Sequence, residues 1–439
     1  MTETTSSVEL TPEVIRRNIR VSAINHFFVE GAMQISEPST VLPLYVKALG
    51  GSNFLAGLLP SLRWFGWLAP QFFAAGQLQH LRRFVPVTQL LEASRCVLYL
   101  ALAGFAVAYG PQNPQLALTI FFILFMITRF SAGSSAVARS ELMARIVPPK
   151  ERSIIVSVRR LAGGIAGFAS GFAVRYILDE RVSSFPYNYA ILLGVSGILF
   201  GIALLILSGI VEPHLSIKSK GRSPIQQIRR APALLKRDRR FLSYIGVRAA
   251  SSGLALAAPF YIIYATEVLG APAAMAGIYI SATTLARVLS NIFWGRQCGV
   301  RGSLWVLRVA CALGVIAPLL VFPLSWATPK AANMMPMLFS LVFLVHGVAL
   351  SADGIGRLAY LYDIAPDQDR PTYYGLSNTI LGPLYFLPAL GGALLDIVGF
   401  LPIFAAAAGL MALAFILATR LAVRDKTYGA YTAHIPMTD

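Results

Sequence analysis

His26, Glu30 and Glu37 lie in the stretch NHFFVEGAMQISEPSTVLPLY, from Asn25 to Tyr45, which is otherwise almost wholly apolar. Imidazole and carboxylate are the groups whose charge follows their surroundings near neutral pH. Intervals of four and seven residues place all three on one stripe of a single helix. The chemistry open to such a stripe is the uptake and release of protons.

The elements that would carry it are membrane helices. Of 439 residues, 56% are hydrophobic and 13% charged, about half the charged share of an ordinary soluble domain. Apolar windows of about 20 residues, enough to cross a bilayer core, recur twelve times. They fall at 19–46, 52–77, 85–108, 115–138, 154–178, 188–211, 241–265, 272–295, 304–326, 334–356, 374–396 and 400–421. The expected fold is all-α and integral to the membrane. Pro38, Pro60, Pro70 and Pro383 fall inside spans, where neighbouring helices or a wet cavity can satisfy the freed backbone groups.

The formal charge of +17 invites a nucleic-acid reading, which the placement of the basic residues removes. With the helices threaded in order, 27 Lys and Arg fall on one side, and Lys47, Arg181 and Lys330 on the other. That asymmetry predicts a multi-pass protein of the plasma (inner) membrane with both termini cytoplasmic. The basic central run IKSKGRSPIQQIRRAPALLKRDRRF reads as a topological anchor against the lipid bilayer, with no nucleic-acid partner. The N-terminus lacks the pattern of a cleaved signal peptide. Cys96, Cys298 and Cys311 are scattered and without metal-ligand spacing, and no cofactor is expected.

The chain also repeats. IVPPKER from Ile146 and IAPDQDR from Ile364 lie 218 residues apart, and Arg139 and Arg357 share that offset. Gly76 and Gly295 are 219 apart, Leu178-Asp179 and Leu395-Asp396 217 apart. Such offsets are what duplication of a six-helix unit leaves. The expected division is an N-tail over 1–18, bundles over 19–211 and 241–421, a basic linker over 212–240 and a C-tail over 422–439.

This layout resembles the major facilitator superfamily of secondary transporters over nearly the whole chain. GQLQHLRRFVP after span 2 stands where that family has a Gly-x-Leu-x-Asp-x-x-Gly-Arg loop, with His80 in place of the acid and Arg83 in place of the second glycine. RFSAGSSAVA, from Arg129, is similar to the family's Arg-x-x-Gln-Gly segment, with Ala132 in place of glutamine. AGGIAGFASG in span 5 lacks the Gly-Pro of the antiporter signature, and GPLYFLPALGG in span 11 resembles its counterpart, the mark of a drug or solute proton antiporter. The resemblance implies two pseudo-symmetric bundles around a central cavity lined by spans 1, 4, 7 and 10.

On that footing Glu30 and Arg129, at similar depth, are the expected proton-coupling pair, with His26 a relay near the inner mouth. Glu30 would take up and release a proton as Arg129 withdraws and approaches. A static ion pair that fixes packing is the alternative. Glu37, Arg63, Trp64, Tyr261, Tyr264 and His346 are the candidates for a substrate cavity. Glu37 is open to a plain ion pair with Arg63, and the aromatics to ordinary lipid-facing or interfacial roles. A cytoplasmic gate or loop motif would draw on Gly76, Arg82, Arg139, Arg152, Arg248, Gly295, Asp353, Arg357 and Arg370. For Arg248 and Asp353 a simple ion pair near the helix ends is the favoured reading. Glu92 and Arg95, three apart, can neutralise each other.

No phosphate-binding GxxxxGK[ST] occurs, and no HExxH or nucleophile paired with a base, so neither a nucleotide-driven pump nor an enzyme is expected. The expected activity is proton-coupled secondary transport of a small organic solute by alternating access, directed to efflux, by a monomer. Solute/proton symport for uptake is the alternative, and a non-transporting receptor or scaffold the remaining one.

Overall fold

In a computed structural model the chain is described over residues 10–78, 83–213, 238–325, 334–366 and 369–432, with side-chain surroundings described for all but 72–78, 371 and 424–432. Every regular element among the described residues is helical. Two compact units divide the chain: Met1–Gly221 with Pro272–Ser281, and Arg222–Ala271 with Ala282–Asp439. They are described separately.

The first unit contains α1 (Pro12–Ile35), α2 (Val41–Ala48), α3 (Asn53–Leu78), α4 (Val85–Tyr109), α5 (Pro114–Ile146), α6 (Arg152–Ile177) and α7 (Tyr187–Leu207). Local chemistry sets several starts. Thr11 accepts from the Val14 amide at 3.4 Å and Asn113 from the Leu116 amide at 3.1 Å, each followed by proline at the first helical position, where the missing N–H costs nothing.

The first crossing departs from the single span expected over 19–46. It starts earlier, at Pro12, and breaks after Ile35. Pro38 biases Glu37 away from helical geometry. Glu37 therefore leaves the stripe it was expected to share with His26 and Glu30. Its carbonyl instead accepts from the amides of Thr40, Val41 and Leu42 at 3.0–3.2 Å and opens α2. The stripe on α1 is His26, Glu30 and Gln34.

Polar ties lock α1 to its neighbours. Asn18 Nδ2 donates to the carbonyls of Ile146 and Val211, and Asn25 Nδ2 to that of Ala203 at 2.7 Å. Ser170 on α6 and Ser196 on α7 donate to the carbonyls of Gly31 and Ala32. With little hydrophobic force between helices in lipid, such bonds and small residues set the packing. At the same end as Asn18, the Glu212 carboxylate accepts from the amides of Phe84 and Val85 and pairs with Arg145 at 3.4 Å. These ties close over Leu142, Ile146, Ile155 and Leu207.

The second unit contains α8 (Arg239–Ala250), α9 (Gly253–Glu267), α10 (Met275–Arg301, whose first turns belong to the first unit), α11 (Ser303–Leu319) and α12 (Val321–Ser325). It continues through α13 (Met335–Leu338), α14 (Ser340–Ile364), α15 (Arg370–Leu381), α16 (Leu387–Val398) and α17 (Phe400–Thr432). Asp238 caps α8 by accepting from the amides of Arg240 and Phe241. Two crossings read as unbroken are interrupted, at Ser251–Ser252 and by a 3-10 turn over Gly382–Phe386 that holds Pro383. Pro60 and Pro70, by contrast, sit inside a continuous α3.

Nine spans among the described residues pass length and hydropathy criteria for crossing a membrane. The other three crossings are α1, α3 and α10. They are long enough, at 24, 26 and 27 residues, but carry more polar side chains. Leu205, Ile292 and Ile397 are 72, 77 and 80% exposed. Large aliphatic side chains standing clear on many helices match a surface solvated by acyl chains.

Candidate charged site of the first unit

The α1 stripe meets α6 at a glycine. A Cβ on Gly163 would lie 3.1 Å from His26 Nε2 and 3.3 Å from Glu30 Cγ, so hydrogen at this position lets both side chains press against α6. Glu30 Oε1 accepts from Gln34 Nε2 at 2.8 Å, one turn along. No base pairs with Glu30 among the described residues. His26 Nδ1 lies 3.5 Å from Arg159 Nη2 on α6, and Arg159 Nη1 contacts the sulfur of Met143 on α5.

Arg129 turns elsewhere. Its Nη2 donates to the Tyr99 hydroxyl at 2.6 Å and its Nε to Thr128 Oγ1 at 3.3 Å, and the guanidinium lies over the Phe125 ring at 5.0 Å. At 3% exposure, Arg129 is sealed by neutral partners and cation–π contact. Gly66 on α3 admits it, since a Cβ there would stand 2.5 Å from the Arg129 Cβ. Glu30 and Arg129, taken as a pair from depth alone, do not pair in this conformation.

Glu92 is the hub of the unit. Its carboxylate is completely buried, pairs with Arg95 at 3.2 Å and with Arg139 of α5, and accepts from Ser135 at 2.9 Å. Arg95 lies over the Phe200 ring at 3.8 Å. Glu37 pairs with Arg63 at 2.6 Å, and Trp64 meets Trp67 edge-on.

In the second unit Arg248 donates to Asp353 at 2.9 Å, and Arg357, one turn further along α14, approaches the other carboxylate oxygen at 3.8 Å. His346 is buried with its ring 5.5 Å from that of Tyr261, which stacks on Phe404. Tyr264 packs against Phe339, Phe400 and Phe404. Both tyrosines are at most 2% exposed and are enclosed by the unit's own aromatic side chains.

Among the gate candidates, Arg152 donates to the Ala144 carbonyl at 3.2 Å and Arg370 lies over Tyr362 at 5.9 Å. Gly295 faces open space. The surroundings of Gly76 lie outside the described residues, as do Arg82 and His80. The three cysteines are free, and among the described residues no cluster of His, Cys, Asp or Glu could hold a metal.

Arg159, Ser135 and Tyr99 belong to the contacts of the first unit, and no motif or spacing in the sequence marks them. Arg159 belongs to an Arg-Arg step just before the Ala-Gly-Gly of α6 and reads as the trailing end of a basic loop. Its distance from the loop, about 10 Å at 1.5 Å per residue, was the available signal.

A sequence model described as the Major Facilitator Superfamily matches residues 22–340 and 240–436. No curated protein sequence matches the chain. Among solved structures, the chain is similar to a point mutant of the nucleoside transporter NupG, with TM-score 0.71, 13% identity, and 93% of this chain and 99% of that one covered. It is similar to a D-xylose-proton symporter, with TM-score 0.68, 15% identity and coverage of 92% and 97%. It is also similar to the human organic anion transporter MFSD10, with TM-score 0.56, 17% identity and coverage of 93% and 100%. At these identities the likeness is one of fold.

Proposed function

The chain belongs to the Major Facilitator Superfamily and is a multi-pass membrane transporter, not an enzyme, and from that premise we propose that it moves a small organic solute by proton-coupled alternating access, outward from the cytoplasm. Both termini and the basic linker are then cytoplasmic, as the distribution of Lys and Arg favours.

One observation carries the reading: Glu30, on a membrane helix, has a neutral amide as its partner and no arginine among the described residues. Ionisable groups at such depth are functional candidates because lipid makes them costly. An amide serves either protonation state, since its NH2 donates to a carboxylate and its carbonyl accepts from the acid. Gln34 can therefore follow the proton on and off Glu30 without leaving a buried group unsatisfied, which an arginine could not do. His26, one turn away, stands on the same stripe and suits a relay.

Uptake by symport is the second reading, supported by the fold shared with a D-xylose-proton symporter. The test compares small-molecule profiles of cells and medium with the parent chain and with Glu30→Gln, each with and without a protonophore. The expected result is a solute displaced to the medium by the parent only, and only while the gradient stands, with the variant present in the membrane in equal amount. Accumulation inside the cell instead selects symport. Gradient-dependent movement that survives Glu30→Gln removes the role of Glu30, and an unchanged profile removes the transport assignment to a small solute.

A further inference from the structure

Within the first unit, Arg63, Arg95, Arg139 and Arg145 each face a carboxylate. Arg129 and Arg159 face none among the described residues. Arg129 is sealed and answered by a phenol, a hydroxyl and an aromatic face. Arg159 is different: it is half-buried, and its recorded acceptors are a thioether and an imidazole nitrogen at the limit of hydrogen-bond range. The thioether is a weak acceptor for a cation, and at 3.5 Å the imidazole contact is a weak one. The nearest acid on the neighbouring stripe, Glu30, is turned to Gln34.

A guanidinium drawn out of water among three helices, with five donors and no anion, is a costly arrangement unless something negative arrives. Arg139, the neighbouring base whose field Arg159 feels, is already held by Glu92. Arg159 is thus the one arginine of this group, among the described residues, that is both reachable and without an anionic or aromatic partner. His26 beside it adds a ring nitrogen that can serve as a further donor, and Gly163 lets the His26 ring pack close against α6 on the same helix as Arg159.

We propose that the transported solute is an organic anion whose carboxylate, or phosphate of the same bidentate geometry, docks on Arg159 with His26 as second donor. The proposal rests on the transport reading and specifies its substrate class. Planar oxyanions match the guanidinium fork, which lysine cannot reproduce. Glu30, one turn from His26, then shares the site with the incoming negative charge, and their mutual repulsion links occupation by the anion to the proton on Glu30.

The test uses the purified full chain in phosphatidylcholine vesicles facing a defined equimolar mixture of carboxylates, phosphate monoesters, neutral sugars and nucleosides, and primary amines. Accumulated solutes are identified by mass spectrometry for the parent, Arg159→Gln and Arg159→Lys. The expected result is accumulation restricted to anions, lowered about tenfold or more by Arg159→Gln, as for loss of a charge-assisted pair, and less by Arg159→Lys. Equal elution profiles of the three proteins in detergent exclude misfolding, and a misfolded Arg159→Gln leaves the comparison of parent with Arg159→Lys to decide.

Accumulation of neutral or cationic solutes overturns the anion assignment and leaves transport standing. Anion accumulation indifferent to both substitutions overturns the assignment to Arg159. No accumulation of any class overturns the transport reading and this proposal with it. A repeat in vesicles containing phosphatidylglycerol separates the remaining source of negative charge: anion uptake suppressed there, and relieved by Arg159→Gln, would assign the site to a lipid headgroup instead.

Discussion

Each unit holds one carboxylate between two arginines, and the two arrangements differ in which helices they join. In the first, Glu92 on α4 holds Arg95 of its own helix and Arg139 of α5, with the carboxylate 0% and the arginines 3 and 16% exposed. In the second, Asp353 on α14 holds Arg357 of its own helix and Arg248 of α8, with exposures of 11, 36 and 10%. Arg139 and Arg357 are repeat partners at the offset of 218. The duplicated unit has kept this base and moved its acid.

The same offset carries Asp353 back to Ser135 and Arg248 back to Glu30. Ser135 still serves the cluster, donating to Glu92 at 2.9 Å. Glu30 does not. Where the first helix of the second unit carries a base locked to an acid, the first helix of the first unit carries an acid that forms no salt bridge among the described residues. The second unit has an ion pair at this repeat position, and the first has a carboxylate hydrogen-bonded to the Gln34 amide.

The sharpest way to break this comparison is Glu92→Gln. It would leave Arg95 and Arg139 without counter-charge in a fully enclosed place, and removal of one partner of a buried pair costs about 3–5 kcal/mol. The thermal midpoint of the detergent-purified protein should fall by a large margin. A midpoint unchanged within error would mean that water reaches the cluster and that its burial is not what distinguishes the two units. Asp353→Asn is the matched substitution, with a smaller expected loss of about 1–3 kcal/mol, because Arg357 can turn to solvent. Equal losses for the two would erase the contrast.

The glycines extend it. Position 347, the repeat partner of Arg129, is a glycine, and a Cβ there would stand 2.5 Å from the Thr283 carbonyl. In the first unit the small residue is on the other helix, Gly66 against Arg129. Gly66→Ala and Gly347→Ala should each cost about 1–3 kcal/mol by overpacking. Gly66→Ala should in addition disturb the Arg129–Tyr99 bond, which a changed tyrosine fluorescence, absent in Tyr99→Phe, would report. If Gly66→Ala is silent in both measurements, α3 and α5 stand further apart than described.

Much of this was written in the sequence, and the limit falls at a definite physical place. Hydropathy windows located the crossings because lipid imposes length and apolarity on each helix by itself. Depth along the chain anticipated the contacts of Glu37 with Arg63 and of Arg248 with Asp353, since counting residues from a helix end gives height in the membrane. What height cannot give is rotation about the helix axis and the identity of the neighbour. Arg129 at the depth of Glu30 turns to Tyr99, Arg139 reaches Glu92 rather than a loop, and Arg159 emerges beside His26. Each depends on which faces of three helices meet, and that is set by glycines and small residues scattered over several segments. The break at Glu37-Pro38 was nearer to hand, because the residue before proline avoids helical geometry, yet the regular spacing of the acids concealed it.

The smallest expected effect lies at the end of α6, where Asp179 and Arg181 pair at 3.0 Å with the arginine exposed and the aspartate partly so. The Arg181 guanidinium and backbone amide hydrogen-bond to Asp179 and hold its carboxyl below the usual range. A depressed value in the folded chain means that the pair contributes while Asp179 is ionised, and that the contribution fades as the pH falls through that value. Exposed pairs of this kind are screened by salt and lose side-chain freedom to form, so Arg181→Ala should leave thermal stability unchanged at neutral pH. Its one visible trace should be the Asp179 carboxyl rising back to the ordinary carboxylate range, read by an NMR titration of labelled aspartate. A measurable loss of stability would show that an exposed loop pair matters as much as an enclosed one, and the distinction between the lone acid of α1 and its paired counterparts would then need a basis other than burial.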